Sequence, residues 1–388
     1  MVRSMNMLTK IPCLAVLLHA PLVLSAAVHV VRTPDGGIQP QAAVDSKGTV
    51  HLIYYKGDPK GGDIFYVRRG SGATDFSKAI RVNFRPSTAM AIGTIRGAQV
   101  AVGRNGRAHV VWDGMGDGIR AFGPGAMEKH PLFYTRLNDA GISFEPERNV
   151  ITYAYGLDGG SSVAADPKGN VYAVWHAPQP GITNGEAGRA VFVVRSRDEG
   201  KTFGREELAT TEPTGACACC GLRAFADKAA AVYILYRGAS TSGTRPETLL
   251  VSRNQGQDFT VVYQHDWKIS SCPMSSASLS QSGEEVLAAA ETHGRVFFVQ
   301  ADAKDAHTSS PVSPDSKAKY PVAIGNGRGE VLLVWAENTA WGRGGDVVWQ
   351  VYDKKGEPMS EKGRREGLPA WSLPTAFASP DGSFTIVY

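Results

Sequence analysis

Ser161–Phe203 reads SSVAADPKGNVYAVWHAPQPGITNGEAGRAVFVVRSRDEGKTF. It holds three short strand-like runs. Two of them, Val171–Trp175 and Ala190–Arg195, alternate and are rich in β-branched and aromatic residues. The tetrad Asp166-Pro167-Lys168-Gly169 joins the first run to the second. Asp-Pro opens such a turn, and Gly supplies the positive φ that closes it. The octet Ser196–Phe203 then predicts a second tight turn. Because this unit recurs along the chain, it decides the fold.

One spacing counts the copies. A turn Gly is followed six residues later by an aromatic that ends an apolar strand: Gly48/Tyr54, Gly106/Trp112, Gly169/Trp175, Gly329/Trp335 and Gly382/Tyr388. A weaker copy starts at Ala230 and ends at Tyr236, and another runs from Gly283 into VLAAAE without the aromatic. These seven starts are spaced 58, 63, 61, 53, 46 and 53 residues apart. Periods of that size, each with room for four strands, predict an all-β propeller. No stretch sustains a 3.6-residue period, which argues against an alternating α/β fold. With 44 Gly and 22 Pro, the composition suits a turn-rich β protein. Val28–Arg32 (VHVVR) stands alone before the first copy, and Leu373–Tyr388 has room for only two strands. Since an open sheet edge invites aggregation, the N-terminal strand is expected to complete the last blade and close the ring. Seven blades are favoured, with six if the terminal pieces merge into a neighbour.

Residues 1–27 read as a secretory signal. Arg3 and Lys10 give a basic start, Ile11–Ser25 an apolar stretch too short to span a bilayer, and Ser25-Ala26-Ala27 a small-residue cleavage site. A secreted or periplasmic protein is expected, with one propeller domain over residues 28–388. Cys13 lies inside the apolar stretch without the small residues that precede a lipid-modified Cys. The net charge is +4; removing Arg3 and Lys10 leaves 39 basic against 37 acidic residues, a net of +2. That balance gives no reason to expect nucleic acid or an anionic surface as partner. No later segment is long and apolar enough for a membrane span. Long loops rich in Gly, Pro, Ser and Thr, at Met115–His130, Pro178–Gly188, Ala239–Pro246 and Ala303–Lys319, are placed to crown a propeller face.

The octet Ser196–Phe203 matches S-x-D-x-G-x-T-F, the Asp box. Partial copies stand at Asp139–Phe144 and Ser252–Phe259, at the same place in neighbouring repeats. These turns stiffen blades and carry no chemistry. On the repeats and these boxes the chain resembles the sialidase superfamily of Asp-box (BNR) propellers, and within it the exported bacterial sialidase-like proteins without an assigned activity. The resemblance implies a site over the central channel. It also implies three Arg gripping a substrate carboxylate, a Tyr nucleophile with a Glu base, and an Asp acid/base. A neutral phenol approaches an anomeric carbon that bears a carboxylate with less repulsion than a carboxylate would, and sialidases are the Tyr exception among glycosidases. Arg forks bind carboxylates in bidentate fashion.

The family's early Arg-Ile-Pro signature is absent, and Thr94-Ile95-Arg96-Gly97 is the better-placed counterpart. By position in the repeat, Arg96, Arg223 and Arg237 are the carboxylate-binding candidates, Tyr320 the nucleophile, Glu291 its base and Asp113 the acid/base. His176 and Trp371 are further substrate-binding candidates, on the loop face and as a stacking platform. The implied function is glycoside hydrolysis of an acidic sugar without a cofactor. A non-catalytic glycan- or protein-binding propeller is the alternative, and a metal- or redox-linked propeller is a third. Cys217-Ala218-Cys219-Cys220 and Cys272-Pro273-Met274 precede the inner strands of adjacent repeats. In an exported protein a disulfide from the first group to Cys272 is expected. The other reading is a thiolate metal site with Met274 and His176 or His293, suited to Cu(I) or Zn.

Overall fold

The computed structural model describes Met1 and residues 26–114, 130–210, 214–302, 306–308 and 317–388. Most of the anticipated signal, nearly all of the Met115–His130 loop and most of the Ala303–Lys319 loop lie outside the described residues. No helix among the described residues is long and apolar enough to cross a membrane.

Seven sheets form the molecule. Blade 1 runs from Ile38 to Arg81, blade 2 from Gln99 to Asn149, blade 3 from Ser161 to Leu208 and blade 4 from Arg223 to His265. Blade 5 runs from Ser278 to Thr308 and blade 6 from Lys319 to Leu368. Each of these six has four strands in chain order. Blade 7 has three: Thr375–Ala378 innermost, then Phe384–Val387, then the N-terminal strand Val28–Val31. The ring closes as expected, but Val28–Val31 runs parallel to Phe384–Val387, so blade 7 departs from the antiparallel four-stranded pattern. Phe384 N–H donates to Ala27 O at 2.8 Å, Tyr388 N–H to Val31 O at 3.2 Å and Thr33 N–H to Tyr388 O at 2.8 Å.

A blade is apolar on both faces because each face packs on a neighbouring blade. This explains why Val171–Trp175 is buried throughout rather than on alternate residues. The core divides into apolar clusters lying between consecutive blades around the whole ring. Tyr54 and Leu52 of blade 1, for example, pack on Phe377 and Val387 of blade 7, and Trp112 sits between blades 1 and 2. Trp175 sits between blades 2 and 3. The aromatics that mark the repeat are therefore interface plugs.

The turns at the far end of the blades share one device. Asp166 Oδ1 accepts from the N–H groups of Lys168 and Asn170, both at 2.9 Å, and Asp45 holds Lys47 and Thr49 alike. The closing residue is left-handed, Gly169 at φ 93°. In the weaker copy Ala230 takes that place at φ 68°. A left-handed L-residue costs about 1–2 kcal/mol, partly offset by the smaller unfolded-state entropy of Ala. Ala230→Gly is accordingly expected to raise stability by about 0.5 kcal/mol and Gly169→Ala to lower it by about 1 kcal/mol. Urea titrations check both signs.

The full Asp box is held by Asp198, which accepts from Thr202 N–H at 2.9 Å and Thr202 Oγ1 at 2.7 Å. Ser196 Oγ accepts from Gly200 N–H at 2.8 Å, and Phe203 packs edge-on against Tyr134, 4.7 Å between ring centres. The Ser252–Phe259 copy repeats the geometry with Asn254 in the Asp position. At Asp139–Phe144 the turn is shifted by one residue. Asn138 Oδ1 accepts from Ile142 N–H at 3.1 Å, while Asp139 pairs with Arg107.

Candidate functional site

Strand pairing decides which end of the ring the candidate residues share. Innermost strands start beside the ends of second strands: Gln99 opposite Val111, Ser161 opposite Trp175, Arg223 opposite Leu235 and Lys319 opposite Ala336. Arg96, Arg223, Tyr320 and Trp371 at strand starts therefore share one end with Asp113, His176, Arg237 and Glu291 at strand ends. Behind them the channel encloses about 320 Å³. Its lining is mostly Ala, Val and Ser from the innermost strands, and Arg223 is the one charged side chain among the lining residues.

The segments leading into the innermost strands are stitched together at this end. Gln39, Thr94, Met274, Tyr320 and Trp371 are left-handed, with φ between 50° and 61°, although none is Gly. Such backbone persists only where its surroundings over-determine it, and it clusters at functional sites. Here Gln39 N–H donates to Ser372 Oγ at 3.1 Å and Gln39 Nε2 to Trp371 O at 2.7 Å. Tyr320 N–H donates to Ser275 Oγ at 3.3 Å.

Tyr320 and Glu291 lie on contacting strands, Lys319–Gly325 of blade 6 and Glu285–Thr292 of blade 5. Both are buried. Burial, with the Glu291 charge nearby, raises the phenol pKa. Burial also raises the Glu291 carboxyl pKa, against the pull of Lys319, a Ser275 hydrogen bond and Arg237. Lys319 Nζ stands 3.7 Å from Glu291 Oε2, and that oxygen accepts no hydrogen bond from the described residues. Arg237 adjoins the pair through the Glu291 carbonyl, and its guanidinium meets Glu247 at 2.8 Å over the Trp267 ring. Burial pushes the Glu247 pKa up to about 7 in spite of Arg237.

Arg96 and Asp113 make a second group, where blades 2 and 3 meet. Arg96 pairs with Asp158 at 2.5 Å and also donates to the Asp158 and Ile92 carbonyls. Asp113 accepts from Ser161 Oγ at 2.7 Å through one oxygen, while the other has no hydrogen-bond partner among the described residues. Burial pushes the Asp113 carboxyl up to about 7, with the Ser161 hydrogen bond and Arg96 opposing. Arg223 stands apart from both groups. It donates to Leu222 O, pairs with no carboxylate among the described residues, and is lowered to about 10 by burial alone. The three Arg candidates are thus engaged separately.

His176 serves Arg189, whose Nη2 donates to His176 Nδ1 at 3.0 Å and to the His176 carbonyl. Because Nδ1 accepts, Nε2 carries the ring proton and faces Cys220 O at 3.5 Å. Burial, with Arg189, lowers its pKa to about 3, so the ring is neutral. Trp371 meets Trp341 edge-to-face at 4.9 Å, and Trp341, which the repeat spacing did not single out, is 55% exposed. Arg96 and Trp341 both crowd Gly93, so this indole pair adjoins the Arg96 group.

The four cysteines do meet, but as free thiols. The disulfide expected to Cys272 is not formed. The two cysteine segments are drawn together by Gly221 N–H donating to Ser275 O and by a fifth residue, Glu186. Of the other proposed ligands, His176 is held by Arg189, and the His293 ring packs tilted against Trp267, 5.5 Å between ring centres. Sequence spacing passed over Glu186 because it lies in the Pro178–Gly188 loop, 31 residues before Cys217.

No family profile matches the chain, and no curated protein matches it. Solved structures do. A Hadza microbial sialidase, Hz136, aligns with TM-score 0.53 at 13% identity, over 83% of this chain and 73% of that one. A protein of unknown function from Dyadobacter fermentans aligns with TM-score 0.51 at 13% identity, over 84% and 97%. Trypanosoma rangeli sialidase, in complex with the inhibitor DANA, aligns with TM-score 0.51 at 11% identity, over 81% of this chain and 56% of that one. Identities this low establish the fold alone, and by fold the chain is a sialidase-like β-propeller.

Proposed function

We propose that the chain is an exo-acting glycoside hydrolase for an acidic sugar. The observation that carries the proposal is a buried Tyr320 and a buried Glu291 on contacting strands at the channel end, with the carboxylate charge acting on the phenol. A carboxylate with a raised pKa is a better base for a phenol, and Glu291 has an oxygen without a donor to receive that proton. In the first step Tyr320 Oη attacks the anomeric carbon while Glu291 takes its proton. Asp113 protonates the leaving glycosidic oxygen. In the second, water gives a proton to Asp113 and attacks the glycosyl-tyrosine, and Glu291 returns the first proton to Tyr320. Arg223, a buried cation without an ion-pair partner among the described residues, is the group to hold the sugar carboxylate. Arg96 and Arg237, held by Asp158 and Glu247, add positive charge at the same end of the ring. The N-terminal sequence supports an exported protein as part of the same proposal.

Steady-state assay of purified protein on fluorogenic sialosides and other acidic glycosides tests the activity. Turnover is expected on at least one. Absence of turnover on all of them favours the second reading, a glycan-binding propeller, which the exposed Trp341 beside Arg96 supports.

The pH profile has a defined sign. Asp113 must be protonated to donate, and burial holds its pKa near 7. The basic limb of kcat/KM is therefore expected to have its midpoint near pH 7, with activity falling as pH rises through it. Asp113→Asn is expected to abolish most activity and with it the limb. Stability follows the same group. An unfolded Asp ionises near pH 3.9, so the folded state binds more protons between about pH 4 and 7 and loses stability as pH rises across that window. A limb that persists in Asp113→Asn would remove this role.

A further inference from the structure

We propose that Cys217, Cys219, Cys272 and Glu186 form a tetrahedral site for a divalent zinc-class cation, fastening three loops at the channel end. One ligand atom from each of the four lies within 4.8 Å of every other. Sulfurs bound ~2.3 Å from one zinc ion sit ~3.8 Å apart at tetrahedral angles. Cys217 Sγ and Cys219 Sγ are 3.9 Å apart, and Cys272 Sγ and Glu186 Oε1 are also 3.9 Å apart. The sulfur–sulfur edge thus already has about the required length, and the opposite sulfur–oxygen edge is ~0.4 Å longer than the ~3.5 Å that a zinc–oxygen bond of ~2.0 Å implies. Cys220 Sγ, 3.0 Å from Cys217 Sγ, is closer than two sulfurs on one zinc would be, and it stands outside the quartet.

The surroundings suit a site richer in negative charge than its cation can neutralise. Three thiolates and a carboxylate leave a net of −2 around a divalent ion. Arg245 Nη2 binds Glu186 Oε2 at 2.6 Å. Arg189 and Arg237 lie close enough for the cluster's charge to act on them. Ala218 N–H donates to Glu186 Oε1 at 2.7 Å, which holds the carboxylate against the Cys217–Cys219 turn and orients it. The carboxylate among the thiolates favours zinc over Cu(I), which selects soft donors. The quartet ties the Pro178–Gly188 loop of blade 3 to the lead-ins of blades 4 and 5. The site stands on these residues whether or not the channel end is catalytic.

The test uses the full chain, reduced, stripped with a chelator and titrated with zinc or cobalt(II) alone. Expected are one equivalent of zinc per chain by native mass spectrometry, and for cobalt the thiolate charge-transfer and intense visible bands of a tetrahedral site. Cys272→Ser and Glu186→Gln should each weaken binding more than about 10-fold, since even outer-sphere partners contribute that much. Cys220→Ser should leave affinity unchanged. Far-UV circular dichroism confirms folding, and Glu186→Gln, which changes one side-chain atom, covers the case in which a Cys variant fails to fold. Four outcomes would overturn the proposal. They are no stoichiometric zinc or cobalt, a cobalt spectrum indifferent to Cys272→Ser and Glu186→Gln, binding of Cu(I) with zinc excluded, or a disulfide to Cys272 that peptide mapping finds in protein unable to take up metal.

Discussion

Removal of Val28–Val31 is expected to lower the melting temperature by about 4–12 °C. The strand is the outer member of blade 7 and the partner of Phe384–Val387. Val28 and Val30 pack with Ala26 against Leu332, Phe384, Ile386 and Tyr388, where blades 6 and 7 meet. Arg32, just beyond, stacks 4.2 Å from the Tyr388 ring centre and donates to Gly367 O of blade 6. Loss of the strand would uncover the equivalent of two or three large apolar side chains, about 1.5–3 kcal/mol each. At ~2 cal/mol/K of unfolding entropy per residue, a kcal/mol shifts the melting temperature of residues 28–388 by about 1–1.5 °C. Differential scanning calorimetry of the shortened chain is the measurement. An unchanged midpoint would mean that seven-blade closure does not depend on this strand. A slower aggregation rate in the shortened chain would contradict the same idea, since a bare edge at Phe384–Val387 should seed pairing between chains.

Glu291→Gln is expected to reduce turnover on an acidic glycoside by about 10²–10⁴-fold, the range for loss of a positioned acid/base, and Tyr320→Phe by at least as much. Residues that act as a unit are not additive. The double variant should therefore resemble the worse single variant. Neither change should cost much stability. Tyr320→Phe removes one hydroxyl from a buried side chain, a loss of about 1 kcal/mol. Glu291→Gln keeps shape and discards a buried charge whose cation is 3.7 Å away. Activity in the double variant near the wild-type level would exclude the pair from catalysis.

The turn chemistry made the blade count readable. Gly48, Gly106 and Gly169 mark places where the backbone must be left-handed, and the aromatic six residues on marks the plug between blades. The end of the ring was readable too, because up-and-down strands place Asp113 and Arg237 beside strand starts. What stayed hidden was tertiary. Asp158 and Glu247, the partners of Arg96 and Arg237, carry no local pattern, since an ion pair needs only proximity in space. Left-handed Gln39, Thr94 and Tyr320 look ordinary in sequence because the residue that usually advertises such backbone, Gly, is missing there. Glu186 escaped for a related reason: a carboxylate in a Gly-rich loop has no spacing to tie it to cysteines on other blades. The parallel sense of Val28–Val31 was likewise unreadable, because β-branched composition fits either direction.

The clasp between Val28–Val31 and Phe384–Val387 has a consequence for timing. Val28 pairs with Phe384, so the first strand made must wait for nearly the whole chain before it finds its partner. During synthesis blades 1 to 6 can form in order, each leaning on the one before, as an open crescent. Blade 1 then keeps a face bare, with Leu52 and Tyr54 waiting for Phe377. The molecule becomes a ring only in a last, long-range step, which is the kind of contact that folds slowly. Until then the early strand stays unpartnered, and the outer edge of Phe384–Val387 stays open.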